Sequence, residues 1–220
     1  MTYAGWVAAI LGGVTLLLRA FRAEIYDRVI VNMTTQWYMA AMDAMPPNSR
    51  VLDVGIGTGA ALLRCADKAR AQGLVFEGLD YDPDYVASCK AAFAEANAGD
   101  VLEEAYEASV YDFTGGPYDA AYFSGSLMIM PDKAGALAHV ASLLRPGGRI
   151  YVTQTIEKQH NRLLEILKPI LFHITTIDFG GVTYLHDLHK TVAHANLHIV
   201  HSLELPGGSA ARAAHLFVLE

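Results

Sequence analysis

Charge is the first thing this sequence is short of. Of its 220 residues, 18% are Asp, Glu, Lys or Arg, and the formal net charge is −7. A protein that holds nucleic acid through its phosphates needs a basic surface, so this balance argues against a nucleic-acid partner. Cysteine is scarce as well. Cys65 and Cys89 fall in predicted helices, without metal-type spacing. They read as buried free thiols of a reducing, cytoplasmic compartment. No repeat and no low-complexity tract is present, and the length suits one well-buried domain rather than two.

A full membrane-crossing run is also missing. Residues 4–18 (AGWVAAILGGVTLLL) are uncharged, but a spanning helix needs about 20 apolar residues. The run lacks the basic start of a secretory signal. Arg19 and Arg22 follow it and favour a catalytic part on the cytoplasmic side. The leading expectation is an anchor or interfacial helix on the cytoplasmic face of a membrane. A lid helix over the binding site and a cleaved signal are the alternatives. The chain is therefore divided into a hydrophobic N-terminal helix (1–22), a helical cap (23–47) and a main domain (48–220).

What the chain does have is apolar content, 53% by residue, arranged as alternating short strands and helices. Strands are predicted at 50–54, 74–80, 101–108, 118–123 and 149–155, with a closing pair at 198–205 and 214–219. Helices are predicted at 60–71, from Pro83 to about 97, at 132–144, from Glu157 to about 173, and from a Thr183 cap to about 195. Such alternation implies an α/β fold: a seven-stranded, mostly parallel sheet with helices on both faces and an antiparallel hairpin strand at the C-terminus.

The chemistry begins after the first strand. In Val51-Leu52-Asp53-Val54-Gly55-Ile56-Gly57-Thr58-Gly59 a strand runs into a glycine turn and then a helix. Glycines let backbone approach a ligand closely, and the helix start offers free N–H groups to an anionic group. Asp80, ending the second strand, suits a ribose diol. Gly55-x-Gly57-x-x-Ala60 also fits a dinucleotide fingerprint, so a nicotinamide-dependent reductase is a second reading. A non-catalytic, membrane-tethered module that binds cofactor is a third.

Three features separate these ligands. Asp53 lies inside the strand just before the glycines. Leu143-Leu144-Arg145-Pro146-Gly147-Gly148 precedes the fifth strand. The chain closes on a hairpin rather than a second mononucleotide half. Together these resemble the Rossmann-like class I S-adenosylmethionine-dependent methyltransferase superfamily over roughly residues 48–220. The resemblance implies S-adenosylmethionine as cofactor and S-adenosylhomocysteine as product. Gly55, Ile56, Gly57, Thr58 and Gly59 would line its methionine part, and Asp53 would order that loop or reach the amino group through water. Asp80 would take the ribose hydroxyls and Tyr81 would pack against adenine. Ser109 and Val110 fall where the family carries an adenine-edge acid. Ser124 and Gly125 would sit near the sulfonium.

No nucleic-acid methylation signature follows Ser124, so the expected acceptor is a small molecule. Aromatic, Met and Leu residues in 24–39, 126–130 and 154–184, among them Trp37, Tyr38, Met128 and Leu167, suit an apolar or lipid-like one. Tyr26 resembles the tyrosine that family members place over the methyl donor. His160, His173 and His186 are candidate bases for a hydroxyl or thiol acceptor. Of the late histidines, His186 and His189 share a helical face, but no cysteine joins them, so no metal is expected.

Overall fold

A computed structural model describes residues 31–158 and 182–220. Tyr26, His160, His173, the run 4–18 and most of 154–184 lie outside the described residues. The chain order is α1 (Asn32–Ala44), β1 (Arg50–Val54), α2 (Ala60–Arg64), α3 (Ala66–Gln72), β2 (Val75–Asp80), α4 (Pro83–Glu95), β3 (Leu102–Glu107), β4 (Tyr118–Ser124), a 3₁₀ turn (Leu127–Ile129), α5 (Lys133–Ser142), β5 (Leu144–Glu157), α6 (Leu185–His194), β6 (Ile199–Glu204) and β7 (Arg212–Leu219).

All seven strands join one sheet in the order β3-β2-β1-β4-β5-β7-β6. β7 runs antiparallel to β5 and β6, and the other pairs are parallel. Side chains alternate across a strand, and the core divides accordingly. Val51, Tyr122, Tyr151, Leu216 and Val218 face one layer with α1 to α4, including Trp37, Tyr38, Leu62 and Phe93. Leu52, Val54, Phe123, Val152, Phe217 and Leu219 face the other, with Leu137 and Val140 of α5 and Leu188 and Val192 of α6.

Several boundaries differ from the sequence reading. The fifth strand, expected from 149, starts at Leu144, so Arg145-Pro146-Gly147-Gly148, expected before it, lies inside it. The helix expected at 60–71 is two, broken at Cys65 (φ −99°, ψ 7°); the apolar periodicity runs through a break that only backbone angles reveal. Glu157, expected to open a helix, is the last residue of β5. β7 supplies β5 with a ladder from Ile150↔Leu219 to Glu157↔Arg212, which keeps the chain extended. The cap of α6 is Tyr184, whose side chain makes no capping bond, rather than Thr183. The Glu157 N–H instead bonds the Thr183 carbonyl, so this segment adds a parallel bridge beside β5 before α6 begins.

Candidate functional site: a glycine crevice and a histidine-lined cavity

From β1 the chain builds outward through β2 to β3, then crosses to β4 on the other side of β1. The strand order therefore reverses between β1 and β4, and in open α/β sheets the crevice at the carboxyl ends of such strands is where ligands bind. The glycine turn sits there. Gly55, Gly57 and Gly59 all have positive φ (77°, 59° and 67°). A Cβ on Gly55 would lie 2.5 Å from the Ser126 Cβ, so a side chain is excluded on steric as well as conformational grounds. Ile56 turns inward and fills the space over Gly78, leaving its backbone to the turn. Thr58 is half-buried beside it.

The turn is tied to the end of β2. The Gly55 N–H bonds the Leu79 carbonyl at 2.7 Å, and the Gly57 N–H donates to Asp80 Oδ2 at 2.9 Å. Asp80 Oδ1 accepts from the Asp82 N–H at 3.0 Å. Burial pushes the Asp80 pKa up and these N–H groups oppose it. Tyr81, next along, is 76% exposed. Ser109 lies past the end of β3 and accepts from the Tyr111 N–H at 3.3 Å, while Val110 is packed into the core. Ser124 and Gly125 close the crevice at the end of β4. Gly125 (φ 71°) has the Trp37 ring where a Cβ would be, 3.1 Å away. Ser126 Oγ donates to the Val54 carbonyl, joining the tops of β4 and β1.

Asp53 lies beneath the turn and is completely buried. Its Oδ2 accepts from the Tyr38 hydroxyl at 2.5 Å, and its Oδ1 has no hydrogen-bond partner among the described residues. Tyr38 packs edge-on against Tyr122, with centroids 4.9 Å apart. Burial raises the Asp53 pKa to about 7; the Tyr38 hydrogen bond opposes that rise and nearby Asp80 adds to it. Trp37 and Tyr38 appear in the sequence reading only as acceptor-lining aromatics. The structure puts Trp37 against Gly125 and Tyr38 on Asp53, through the packing of α1 on β4 and β5. No motif spacing marks this, because the partners are far apart in sequence.

His186 faces a separate cavity of about 720 Å³, lined by Ile156, Glu157, Lys158, Tyr184, Leu185, His186, His189 and His215. Its volume is in the range of small-molecule sites. The Gly125 N–H bonds the Thr153 carbonyl, and Gln154 is paired with His215 across the β5–β7 ladder. The cavity wall thus stands about two strand spacings, roughly 10 Å, from the end of β4. His186 is exposed and stacks on Tyr184 (centroids 5.9 Å apart), with its Nε2 3.1 Å from Asp187 Oδ1. His215 is more enclosed. Burial pushes its pKa below the usual imidazole value, and Glu204, which Lys158 holds at 2.8 Å, opposes that. The structure brings His186, His189 and His215 to one cavity. Among the described residues no group of three His, Cys, Asp or Glu side chains has the geometry to hold a metal ion.

This sheet order, with a glycine turn at the switch point and an acidic residue ending β2, is a Rossmann-like fold of the kind seen in methyltransferase structures. Residues 51–148 match the model of a family described as a methyltransferase domain. The chain is 32% identical over 136 residues to an aklanonic acid methyltransferase from Streptomyces sp. (strain C5), covering 61% of each chain. It is 33% identical over 133 residues to a nocamycin O-methyltransferase from Saccharothrix syringae, covering 60% of this chain and 47% of that one. The chain thus aligns with about half to three fifths of the length of these relatives. A geranyl diphosphate C-methyltransferase from Streptomyces coelicolor shares the fold, with a TM-score of 0.65 at 11% identity over 84% of this chain and 76% of that one. Among the described residues no helix is long and apolar enough to cross a membrane.

Proposed function

We propose that the protein transfers a methyl group from S-adenosylmethionine to a small, hydrophobic acceptor. The observation that carries this reading is the glycine turn bound to Asp80 at the switch point of the sheet. The residues present fit an S-adenosyl group. Asp80 accepts the Gly57 N–H on one oxygen and the Asp82 N–H on the other, and a carboxylate has room for further donors such as ribose hydroxyls. Gly55 to Gly59 leave a side-chain-free cradle for the methionine portion, and exposed Tyr81 offers a flat face for adenine. Asp53 Oδ1 is an acceptor in want of a donor. When bound, the cofactor supplies an electrophilic methyl group on a sulfonium. The chain's part is to hold the two reactants in line and keep water from between them.

The acceptor is assigned to the cavity beside the end of β5. Ile156 and Leu185 give it apolar lining, and the imidazoles of His186, His189 and His215 among its lining residues support a role in accepting a hydroxyl's proton. The relatives named for aklanonic acid and nocamycin support a small-molecule acceptor. Cofactor and acceptor are tested separately. Calorimetric titration is expected to show binding of S-adenosylhomocysteine and none of NAD or NADP; the reverse result overturns the reading in favour of a reductase. Incubating the protein and radiolabelled S-adenosylmethionine with a lipid-plus-metabolite extract is expected to label a small organic-soluble product. Binding without any labelled product makes the protein a cofactor-binding module instead.

The uncharged run at 4–18, followed by Arg19 and Arg22, supports a further reading: this segment draws the domain to the cytoplasmic face of a membrane, where apolar acceptors partition. Full-length protein is expected to float with liposomes and a chain lacking residues 1–20 to stay at the bottom of the gradient. Full-length protein that does not float ends this reading.

A further inference from the structure

Helix α1 presents two aromatic residues to the crevice, and one of them touches its buried acid. Tyr38 and Asp53 are both essentially inaccessible to solvent. The hydroxyl of one bonds a single oxygen of the other at 2.5 Å, and the remaining oxygen, Oδ1, has no donor. A buried carboxylate that keeps an unmatched oxygen is unfavourable in the ligand-free protein, since an unmade buried hydrogen bond costs more than a made one contributes. Among the described residues no lysine or arginine perturbs Asp53. The groups facing it are Tyr38 from α1, Asp80 from β2, Tyr122 from β4 and Cys89 from α4, all neutral or acidic. The arrangement lacks one component, a cationic donor, and it lies directly beneath the turn assigned to the methionine portion of the cofactor.

We propose that Tyr38 is a positioning residue for cofactor binding: its hydroxyl holds Asp53 as an anion with Oδ1 reserved for the ammonium group of the cofactor, reached directly or through one water. This rests on the methyltransferase reading. Its consequence is that recognition of the amino-acid end of the cofactor depends on pH near neutrality and is set from α1, outside the glycine motif. Burial holds the Asp53 pKa at about 7 although the Tyr38 bond lowers it. Protonation on the acid side of that value removes the charge the ammonium needs. Loss of the Tyr38 hydroxyl moves the transition upward, by about one pH unit for one charge-assisted hydrogen bond.

The test compares two ligands on the whole chain. S-adenosylhomocysteine carries the ammonium, whereas 5′-methylthioadenosine keeps the adenosine and the sulfur without the amino-acid end. Both present the same ribose to Asp80, so the ratio of their affinities cancels titration there. Calorimetry from pH 5.5 to 8 is expected to show the ratio falling several-fold to about tenfold per pH unit on the acid side of about 7. In Tyr38→Phe the same fall is expected about one pH unit higher, with thermal unfolding still cooperative. In Asp53→Asn the ratio is expected to be small and flat with pH. A ratio that does not change with pH in the unmodified protein overturns the inference. So does a Tyr38→Phe profile that superimposes on it. If Tyr38→Phe does not fold, the unmodified protein and Asp53→Asn still decide, because a pH-dependent ratio that persists in Asp53→Asn places the titrating group elsewhere. Failure of both ligands to bind at any pH refutes the cofactor assignment itself, a different outcome from a flat ratio.

Discussion

Two carboxylates are buried in neighbouring strands of the central sheet, each against a tyrosine hydroxyl, and they are completed differently. Glu77 of β2 pairs across from Leu52 and so faces the α5–α6 layer. Asp53 of β1 faces the opposite layer with Tyr38. Glu77 Oε2 accepts from Tyr118 at 2.8 Å, and Oε1 is bonded to the Arg50 guanidinium, which also lies over the Tyr118 ring, 5.1 Å from its centroid. Both oxygens of that acid have partners. Asp53 has its tyrosine and, among the described residues, no cation. A buried acid closed by its own arginine serves the fold; the one left open, at the carboxyl end of β1, is the one proposed to meet the cofactor.

The largest expected effect removes the closed member of the pair. Glu77→Ala leaves Arg50 without its buried partner and Tyr118 without an acceptor, and is expected to destabilise the fold by about 3 kcal/mol in urea unfolding. S-adenosylhomocysteine affinity in the folded fraction should not change. Equal stability in the variant removes the distinction drawn between the two acids.

Next in size is Asp80→Ala. Two ribose hydroxyls lose a charged acceptor, at a cost on the order of 1.5–3 kcal/mol, so S-adenosylhomocysteine affinity is expected to fall about tenfold to a hundredfold. The Gly57 and Asp82 N–H groups lose their acceptor too, so thermal stability measured alongside separates a loosened turn from a lost ligand contact. Affinity that holds in a folded variant refutes the ribose assignment.

The smallest effect has the opposite sign from Glu77→Ala. Burial places the folded-state pKa of Asp53 at about 7, above the ordinary 3.8. The folded protein therefore binds this proton more tightly than the unfolded chain does. That contribution to stability is complete below about pH 4 and is lost as pH rises towards 7. Asparagine has no such proton to lose. Asp53→Asn is expected to gain on the unmodified ligand-free protein by about 1–2 kcal/mol between pH 5 and pH 8, read from paired thermal melts. A gap that narrows with pH shows that the ionised form is already well accommodated.

The difference between these acids is not visible in the sequence. Asp53 is legible as a motif residue because Val51-Leu52-Asp53-Val54 and the glycines after it are contiguous, and local spacing is what a sequence displays. For the same reason β1, β2, β4 and the closing hairpin fall close to where alternation predicts them. Tyr38 and Arg50 complete their acids through contacts between elements, which periodicity does not encode. The same limit hid the end of β5: Gln154-Thr155-Ile156-Glu157 is polar enough to pass for a helix start, and only the β7 ladder makes it a strand. Cys65 interrupts a helix whose apolar spacing continues undisturbed. Ser109, where the family carries an acid, is occupied with the Tyr111 N–H, a local turn that no spacing announced.

β5 outruns β4. The parallel pairing ends at Ser124↔Thr153, while the antiparallel pairing to β7 carries on to Glu157↔Arg212. One side of the cavity is therefore hydrogen-bonded sheet, not loop, and its shape is a fixed gauge rather than an adjustable one. Enzymes that select by loops can reshape themselves around many guests. A wall of this kind selects by what projects from alternate positions of a rigid edge, so a change of the proposed guest should come through exchanges at Ile156 and His215, which line the cavity from one face of that edge. Such exchanges leave the glycine crevice at the neighbouring strands untouched, so under the proposed assignment donor binding and the range of acceptors can evolve on separate schedules.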